Sequence, residues 1–369
     1  MDDVIVVVRP LLPSWEVLGE ALEGVVDSQI LTNDGPRVRR LEALLSAGVG
    51  AADLAVTGSG TTAIQLACGA LGLAGEVIVP AAAFPAIAQA VLRAGATPVP
   101  VDIEDTYLTI DPDAVRAAIT PRTSAILAVH TFGCPADVEA LRAIADAAGI
   151  PLVFDAATCW GIGYRGRPLL RYGDVATLSL HATKLTHSIE GGAVLGNTRP
   201  VADTVRRLRN FGIGLDGALA SGTNARMSEL HAAVGALVLA DADAEIGRRS
   251  AVRQLYLDAL TEIQWLRPCD FRPDAGPAVA AMPVRLDDDA PVDAESLCRG
   301  LLTHNIHARA YFAGRYRIPL PHKAGSAPRA DRAARNIACL PFWGGLSEGH
   351  LARVVEALTA ISRRPALAV

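Results

Sequence analysis

The sequence has little of several features that define common protein classes. Of its 369 residues only two are lysine, Lys184 and Lys323, and only 5% are aromatic. The formal net charge at pH 7 is −5, which argues against a surface built to bind nucleic acid. The longest nearly apolar stretch, residues 77–92, contains two prolines and is shorter than the ~20 residues that a membrane-spanning helix needs. The sequence therefore disfavours both a nucleic-acid-binding protein and a membrane protein.

Paired cysteines and a leader segment are also missing. The six cysteines are scattered, and no two of them form a CxxC pair. In a chain of this length such a pattern predicts reduced thiols. The start, Met1-Asp2-Asp3, lacks the basic segment and the long apolar segment of a signal peptide. We therefore expect a cytoplasmic protein.

Small apolar residues are abundant, and they lie in alternating strand-like and helix-like stretches. Between residues 53 and 196, short apolar runs bounded by Gly, Pro or Asp alternate with amphipathic stretches, which is typical of βαβ units and a mostly parallel sheet. A single long helix is predicted over residues 226–243, and the pattern changes after about residue 249. We predict a large domain over residues 1–248, including the N-terminal segment, and a smaller α+β domain over residues 249–369.

A turn rich in Gly, Ser and Thr follows the first predicted strand. Residues 57–62 read Thr-Gly-Ser-Gly-Thr-Thr and precede a predicted helix. Glycines allow a tight turn, and hydroxyls together with the amides of a helix N-terminus suit a phosphate group. No lysine follows the glycines, so the turn is not a Walker loop. Taken alone, such a turn is more often structural.

Three polar residues stand at the ends of predicted elements. Asp155 ends an apolar strand, where open α/β sheets bind ligands, although it is also placed to cap the next helix. Lys184 follows another strand and is a candidate for Schiff-base chemistry, because burial lowers the pKa of an amine. The alternative is a surface lysine, but this chain uses arginine for nearly all its surface cations. Asn224 precedes the long helix, and its alternative role is that of a loop residue or helix cap.

The order of these features matches one cofactor. Lys184 follows Asp155 by 29 residues, with the Gly/Ser/Thr turn before them and Asn224 after them. A site for pyridoxal 5'-phosphate needs a cup for the phosphate, a carboxylate for the pyridinium nitrogen and a lysine for the aldehyde. The sequence therefore predicts such a site.

Longer motifs extend this match to a family. They are Arg-Pro-Leu-Leu-Pro at residues 9–13, Leu-Thr-Asn-Asp-Gly-Pro at 31–36, His-Ala-Thr-Lys at 181–184, Glu-Gly-Gly at 190–192 and Asn-Ala-Arg-Met-Ser-Glu at 224–229. On these motifs the chain resembles the DegT/DnrJ/StrS family of sugar aminotransferases, and within it the nucleotide-sugar 4-aminotransferase branch. The resemblance implies fold type I, the aspartate aminotransferase fold, whose large domain has a mostly parallel seven-stranded sheet.

The resemblance also implies roles for individual residues. Lys184 would form the Schiff base with the cofactor and then move the proton, while Asp155 would keep the pyridine nitrogen protonated. The remaining cofactor contacts would come from Gly60, Thr61 and Ser179 at the phosphate, Phe84 stacked on the ring, and Thr158 at the phenolic oxygen. Asn224 would reach the cofactor of a neighbouring subunit, which implies a homodimer with shared active sites.

The chain departs from the family near Asp155, and these departures concern the substrate. Thr158 stands where relatives usually carry Gln or His, and Trp160 is unusual at its position and is expected to reshape the sugar pocket. The candidate substrate contacts are Trp160, His187, Arg309, Tyr311 and His322. A HxxH pair at residues 304–307 has no carboxylate or cysteine near it in the sequence, so we expect no metal site.

The activity that the resemblance implies is a ping-pong amino transfer. The donor would be L-glutamate or glutamine, and the acceptor a keto sugar carried by a nucleotide, a dTDP-4-keto-6-deoxyhexose. The alternatives are amination of a cyclitol or another non-nucleotide ketone in antibiotic biosynthesis, and a non-catalytic regulator. The presence of Lys184 argues against a dehydratase that has lost its lysine, and the presence of Lys184 with Asp155 argues against a regulator.

Overall fold

The computed structural model describes residues 4–214, 217–218, 222–312 and 326–362. Within these residues the α-helices are α1 (Trp15–Ser28), α2 (Pro36–Val49), α3 (Gly60–Ala70), α4 (Ala86–Arg93), α5 (Pro112–Ala118), α6 (Val138–Ala148), α7 (Ala202–Leu208), α8 (Glu229–Ala240), α9 (Ala242–Ala259), α10 (Ala294–Leu302), α11 (Pro328–Asn336) and α12 (Glu348–Ser362). The strands are β1 (Asp53–Thr57), β2 (Glu76–Pro80), β3 (Thr97–Val101), β4 (Thr123–Val129), β5 (Leu152–Asp155), β6 (Gly163–Tyr164), β7 (Arg167–Pro168), β8 (Val175–Ser179), β9 (Gly192–Gly196), β10 (Ile213–Gly214), β11 (Gly217–Ala218), β12 (Leu266–Pro268), β13 (Ala275–Gly276), β14 (Met282–Leu286) and β15 (Ile337–Leu340).

A seven-stranded sheet forms the centre of the larger part of the chain. Its strand order is β1-β9-β8-β5-β4-β2-β3. Neighbouring strands from β8 to β3 pair in parallel, whereas β9 runs antiparallel to both of its neighbours, β8 and β1. Separate apolar clusters cover the two faces, as expected of a parallel sheet buried on both sides. The predicted mostly parallel, seven-stranded sheet is confirmed.

The prediction of one long helix over residues 226–243 is wrong. The Ser228 hydroxyl accepts a hydrogen bond from the amide of His231 at 3.2 Å, which sets the start of α8. The chain then leaves helical geometry at Asp241, where the carboxylate pairs with Arg248 at 2.6 Å. A second helix, α9, begins directly after this residue and runs well beyond the predicted end.

The smaller core lies around the antiparallel sheet β12-β14-β15, with α10 and α12 packed against it. Ile5 is fully buried in this core and pairs with Ile306, so the residues around Ile5 pack on the smaller part of the chain. The predicted boundary between residues 248 and 249 falls inside α9. The division into two domains stays a prediction.

Helix α9 contributes to both cores. Ala242 packs in the core of the large sheet, whereas Val252 and Tyr256 pack in the smaller core. Between them, the buried Glu245 carboxylate accepts hydrogen bonds from Arg249 Nε at 2.7 Å and from the amide of Gly344 at 3.1 Å. A buried charge persists only when it is paired and hydrogen-bonded in this way. The pair therefore fixes the middle of α9 to the smaller part of the chain.

All six cysteines are free, and five of them are buried. Among the described residues no helix is both long and apolar enough to cross a membrane.

Candidate active site

A cavity of about 320 Å³ lies at the carboxyl ends of the parallel strands. Each of several strands supplies residues to its wall just after the strand ends, as open α/β sheets do at their binding sites. The residues from the large sheet include Ser59, Gly60, Thr61, Phe84, His130, Asp155, Thr158, Ser179 and Lys184. The opposite wall comes from the N-terminal segment and the smaller core, and includes Val7, Ala280, Arg309, Tyr311 and Phe342. The cavity thus joins the two parts of the chain.

The turn between β1 and α3 is shaped to hold an anion. The hydroxyl of Ser59 accepts a hydrogen bond from the amide of Thr62 at 3.1 Å, and the Thr62 side chain caps the Ser59 amide in return. Gly60 and Thr61 then lie at the first two positions of α3, where helix amides have no partner within the helix. A Cβ on Gly60 would lie 2.9 Å from the Cβ of Ser179, so only glycine allows this close approach. The structure brings Gly60, Thr61 and Ser179 together, as predicted.

Asp155 ends β5 and is buried. Its carboxylate accepts hydrogen bonds from the amide of Ala157 at 3.0 Å and from the hydroxyl of Thr177 at 3.3 Å. Burial raises the pKa of this carboxyl to about 6, although the charge of Lys184 and the two hydrogen bonds act in the opposite direction. The carboxylate is therefore close enough to Lys184 for the two charges to interact.

Lys184 lies in the loop that joins β8 to the antiparallel strand β9. The strand itself ends at Ser179, so Lys184 lies in the turn that follows and not at the strand end. Its amide donates to the carbonyl of His181 at 2.9 Å, and the bond from the Ser188 amide to the Leu180 carbonyl closes the loop at 2.8 Å. Burial lowers the pKa of the Lys184 ammonium, the charge of Asp155 opposes this, and the charge of Arg309 adds to the lowering. A lower pKa leaves a larger fraction of the amine neutral, and the neutral amine is the form that attacks a carbonyl carbon.

Arg309, Tyr311 and Phe84 line the cavity as well. The backbone of Arg309 pairs with that of Cys339 through two hydrogen bonds of 3.0 and 2.8 Å. Its guanidinium carbon lies 5.5 Å from the centroid of the Tyr311 ring, a cation–π distance. Phe84 lies at the cavity wall, where its side chain is 56% exposed. These positions agree with the predicted contacts to cofactor and substrate, whose roles stay predictions.

Trp160 is not among the residues that line the cavity of this chain, and its predicted role in the sugar pocket stays a prediction. The side chain is buried in the large core, and its ring fills the space above Gly48, where a Cβ would lie 2.6 Å from Cη2. The turn after Asp155 carries this residue away from the cavity. Its unusual size is therefore accommodated by packing against α2.

His187 also lies away from the cavity wall, and its predicted contact with the substrate stays a prediction. The side chain is 1% exposed, with Nε2 at 2.8 Å from the carbonyl oxygen of Leu11 and Nδ1 accepting from the amide of Ile189 at 3.3 Å. Burial lowers its pKa, so the ring is neutral and donates from Nε2. His187 thus ties the N-terminal segment to the Lys184 loop.

Two predicted residues have other positions. Asn224 is exposed, pairs through its backbone with Asn210, and does not line this chain's own cavity. That position is compatible with a contact across a subunit interface. His322 lies outside the described residues.

The sequence-based prediction of site residues did not include His130, which follows β4 and lines the cavity. Its ring stacks on that of Phe154 with 4.3 Å between centroids, and Nδ1 accepts a hydrogen bond from the amide of Ala136 at 3.0 Å. Burial lowers the pKa of this histidine to about 3, so it is neutral. The sequence does indicate this position, because His130 directly follows a predicted strand of the parallel sheet, where site residues are expected.

These residues fit pyridoxal 5'-phosphate. One cavity holds the glycine turn with its helix amides, a buried carboxylate and a lysine whose pKa is lowered. The three groups match the phosphate, the pyridinium nitrogen and the aldehyde of the cofactor.

Known proteins are similar to this chain in sequence and in structure. The model of the DegT/DnrJ/EryC1/StrS aminotransferase family matches residues 16–359. The dTDP-4-amino-4,6-dideoxy-D-glucose transaminase of Shigella dysenteriae is 32% identical, covering 98% of this chain and all of the relative. The dTDP-3-amino-3,4,6-trideoxy-alpha-D-glucose transaminase of Streptomyces venezuelae is 36% identical, covering 89% and 88% of the two chains.

A solved structure agrees over nearly the whole fold. DesI, crystallised in the presence of its TDP-sugar product, superposes with a TM-score of 0.92 at 33% identity and covers 98% of this chain and 94% of its own. The seven-stranded sheet, the site that fits the cofactor and these matches lead to one conclusion. The chain belongs to the DegT/DnrJ/EryC1/StrS family and is a sugar aminotransferase that depends on pyridoxal 5'-phosphate.

Proposed function

We propose that the chain transfers an amino group from L-glutamate, or glutamine, to a dTDP-4-keto-6-deoxyhexose. The observation that carries this proposal is that Lys184 and Asp155, whose charges interact, line one cavity with Arg309 on its other wall. The printed activity of the Shigella dysenteriae relative, a dTDP-4-amino-4,6-dideoxy-D-glucose transaminase, supports this acceptor.

Each of several cavity residues would have its own role in such a transfer. Bound pyridoxal phosphate supplies an aldehyde that captures amines and a ring that accepts the electron pair left when a C–H bond breaks. Asp155 would hold a proton on the ring nitrogen. The amine of Lys184 would carry a proton between the substrate carbon that bears the amino nitrogen and C4′ of the cofactor. The amides of Gly60 and Thr61 and the hydroxyl of Ser179 hold the phosphate, while Phe84 and Thr158 border the ring.

The active unit in this proposal is a homodimer in the cytoplasm. Asn224 is exposed beside Asn210, and it would reach the cofactor phosphate of the partner subunit. The two cavities would then each require both chains. The free thiols suit a reducing compartment.

A second candidate is amination at C3 of the hexose. The Streptomyces venezuelae relative at 36% identity is a 3-amino-sugar transaminase, and its identity to this chain is similar to that of the 4-amino relatives. Both reactions use the same cofactor chemistry, so the position of the keto group relative to Lys184 decides between them.

Product analysis by NMR separates the candidates. The loaded enzyme is incubated with glutamate in three parallel reactions. The acceptor is a dTDP-4-keto sugar in the first, a dTDP-3-keto sugar in the second and a keto inositol in the third. We expect an amine at C4 of the hexose, with formation of the keto acid from glutamate. Amination at C3 would support the second candidate, and amination of the keto inositol alone would contradict both nucleotide-sugar proposals.

Replacing the lysine tests the assignment of the reacting group. We expect Lys184→Ala to abolish the visible absorbance of the bound cofactor and the turnover, because the variant has no amine to capture the aldehyde. Lys323→Ala is the matched control, since it removes the other lysine of the chain, and the visible band should persist in it. A visible band with turnover in Lys184→Ala would refute the assignment.

A further inference from the structure

We propose that Arg309 is one anion anchor shared by the two half-reactions, binding a carboxylate of the amino donor in the first and the diphosphate of the sugar nucleotide in the second. The inference rests on the proposed function, because it needs two anionic substrates that enter one cavity in turn. A ping-pong transfer has this property. Glutamate carries two carboxylates, and a nucleotide sugar carries a diphosphate.

Few residues of the cavity wall carry a positive charge that can bind such anions. Of the charged or titratable residues that line it, Asp155 and Glu190 are acids that would repel an anion. His130 is neutral, and the ring of His181 faces the carboxylate of Glu190, with 3.7 Å between Nε2 and Oε1. Lys184 is committed to the aldehyde, and its charge interacts with that of Asp155. Within the described part of the chain, Arg309 is the permanent cation of this wall.

Arg309 also differs from the other deeply placed arginines. Arg209 pairs with Glu42 at 2.9 Å, and Arg249 pairs with Glu245 at 2.7 Å, so the charge of each is already balanced. The ion pairs found among the described residues do not include Arg309, whose guanidinium faces the ring of Tyr311 instead. An aromatic face orients a guanidinium and leaves its forked donors available for a carboxylate or phosphate.

The position of Arg309 suits both anions. Its backbone is fixed by two hydrogen bonds to Cys339, and its charge is close enough to Lys184 to lower the pKa of that amine. An anion bound at Arg309 therefore lies near the reacting centre. A guanidinium donates two parallel hydrogen bonds to two oxygens that lie side by side, and both a carboxylate and a diphosphate offer such oxygens.

The half-reactions can be measured one at a time by single-turnover absorbance of the loaded enzyme. We expect Arg309→Ala to raise the apparent dissociation constants of glutamate and of the keto-sugar nucleotide by about tenfold or more each, the range of a lost charge-assisted bond. Arg309→Lys should recover part of both losses. Arg299→Ala is the control, because it removes an exposed arginine of α10 whose side chain is 68% exposed. A loss confined to one half-reaction, or no loss in either, would overturn the shared anchor.

Binding without turnover separates this inference from the proposed function. Glutarate and dTDP are titrated into the loaded enzyme by calorimetry, each alone and then in the presence of the other. We expect them to compete in the wild type, and both to bind more weakly to Arg309→Ala. Binding of neither compound to the wild type would refute the substrate classes of the proposed function. Independent binding, or equal binding to Arg309→Ala, would refute the shared anchor alone.

Discussion

Burying the ionised carboxylate of Asp155 lowers the stability of the folded chain when no cofactor is bound. The pKa of its carboxyl is about 6 in the folded protein and about 3.9 in an unfolded chain, so the folded state holds the proton more tightly. Folding therefore becomes less favourable as pH rises from about 4 to about 6, and the full cost, about 3 kcal/mol, persists at higher pH.

Asparagine at position 155 removes the negative charge and therefore the free-energy cost of burying it. We expect the unloaded Asp155→Asn protein to be more stable than the unloaded wild type at pH 8, with a smaller advantage at pH 5. Urea unfolding at the two pH values measures both differences, and the loaded variant should lose most of its turnover. Asp113→Asn is the control, because that carboxylate is 86% exposed. An advantage of Asp155→Asn that does not change with pH would contradict the role of burial.

The sequence predicts the positions of Lys184 and Asp155 in the cavity better than it predicts which neighbouring residues form the wall. Lys184 and Asp155 follow strands of one sheet, and the carboxyl ends of parallel strands lie at one edge. Trp160 and His187 are close to them in sequence but point elsewhere, because their partners are Gly48 and Leu11. Contacts between distant parts of the chain decide such orientations, and no local pattern records them.

Glu229 connects two helices in a way that a local motif does not reveal. Helix α2 is preceded by Gly35, which has no side chain to cap it. The buried carboxylate of Glu229, at the start of α8, instead accepts hydrogen bonds from the amides of Arg37 and Val38 at 2.7 and 3.1 Å. A negative charge at a helix N-terminus is also favoured by the helix dipole. Thus α8 supplies the cap that α2 lacks.

The loss of this cap should be measurable. We expect Glu229→Ala to lower the free energy of unfolding by about 2 to 3 kcal/mol, because it leaves two amides of α2 without an acceptor. Glu229→Gln keeps one acceptor and should lose less. The control is Glu295→Ala, which removes an acid 45% exposed on α10. Urea unfolding compares the variants, and equal losses for Glu229→Ala and Glu295→Ala would contradict the capping role.

Strands of the central sheet are well predicted because most of their apolar runs have Gly, Pro or Asp at one end. The boundary between α8 and α9 is missed for the opposite reason. Helix-forming residues continue on both sides of Asp241, and no Gly or Pro stands at the break to mark it in the sequence.

At the scale of the whole molecule, several large apolar side chains remain exposed. Leu12, Trp15 and Val26 are 65%, 76% and 63% exposed around α1, and Phe211 and Ile213 are 49% and 55% exposed close to the backbone pair of Asn210 with Asn224. Exposed apolar groups in such number are typical of surfaces that contact another protein. They support the proposed homodimer.

Complementation between inactive subunits tests whether the sites are shared. Lys184→Ala and Asn224→Ala each lack one residue of every site, and we expect both to be inactive or nearly so. After they are mixed under conditions that exchange subunits, half of the dimers are hybrids, and each hybrid regains one complete site. Activity should therefore return to about a quarter of the wild type, because each site takes Lys184 from one chain and Asn224 from its partner. Activity that does not rise on mixing would contradict the shared site.

The passage of α9 through both cores limits how the molecule can change shape. A loop between two domains allows them to swing, whereas a continuous helix resists bending. The cavity lies between the walls that this helix joins, and the Glu245–Arg249 pair holds its middle. Helix α9 therefore keeps the mouth of the cavity at a nearly constant width. Substrates that differ in size must be accommodated by side chains and by the segments at the rim of the cavity.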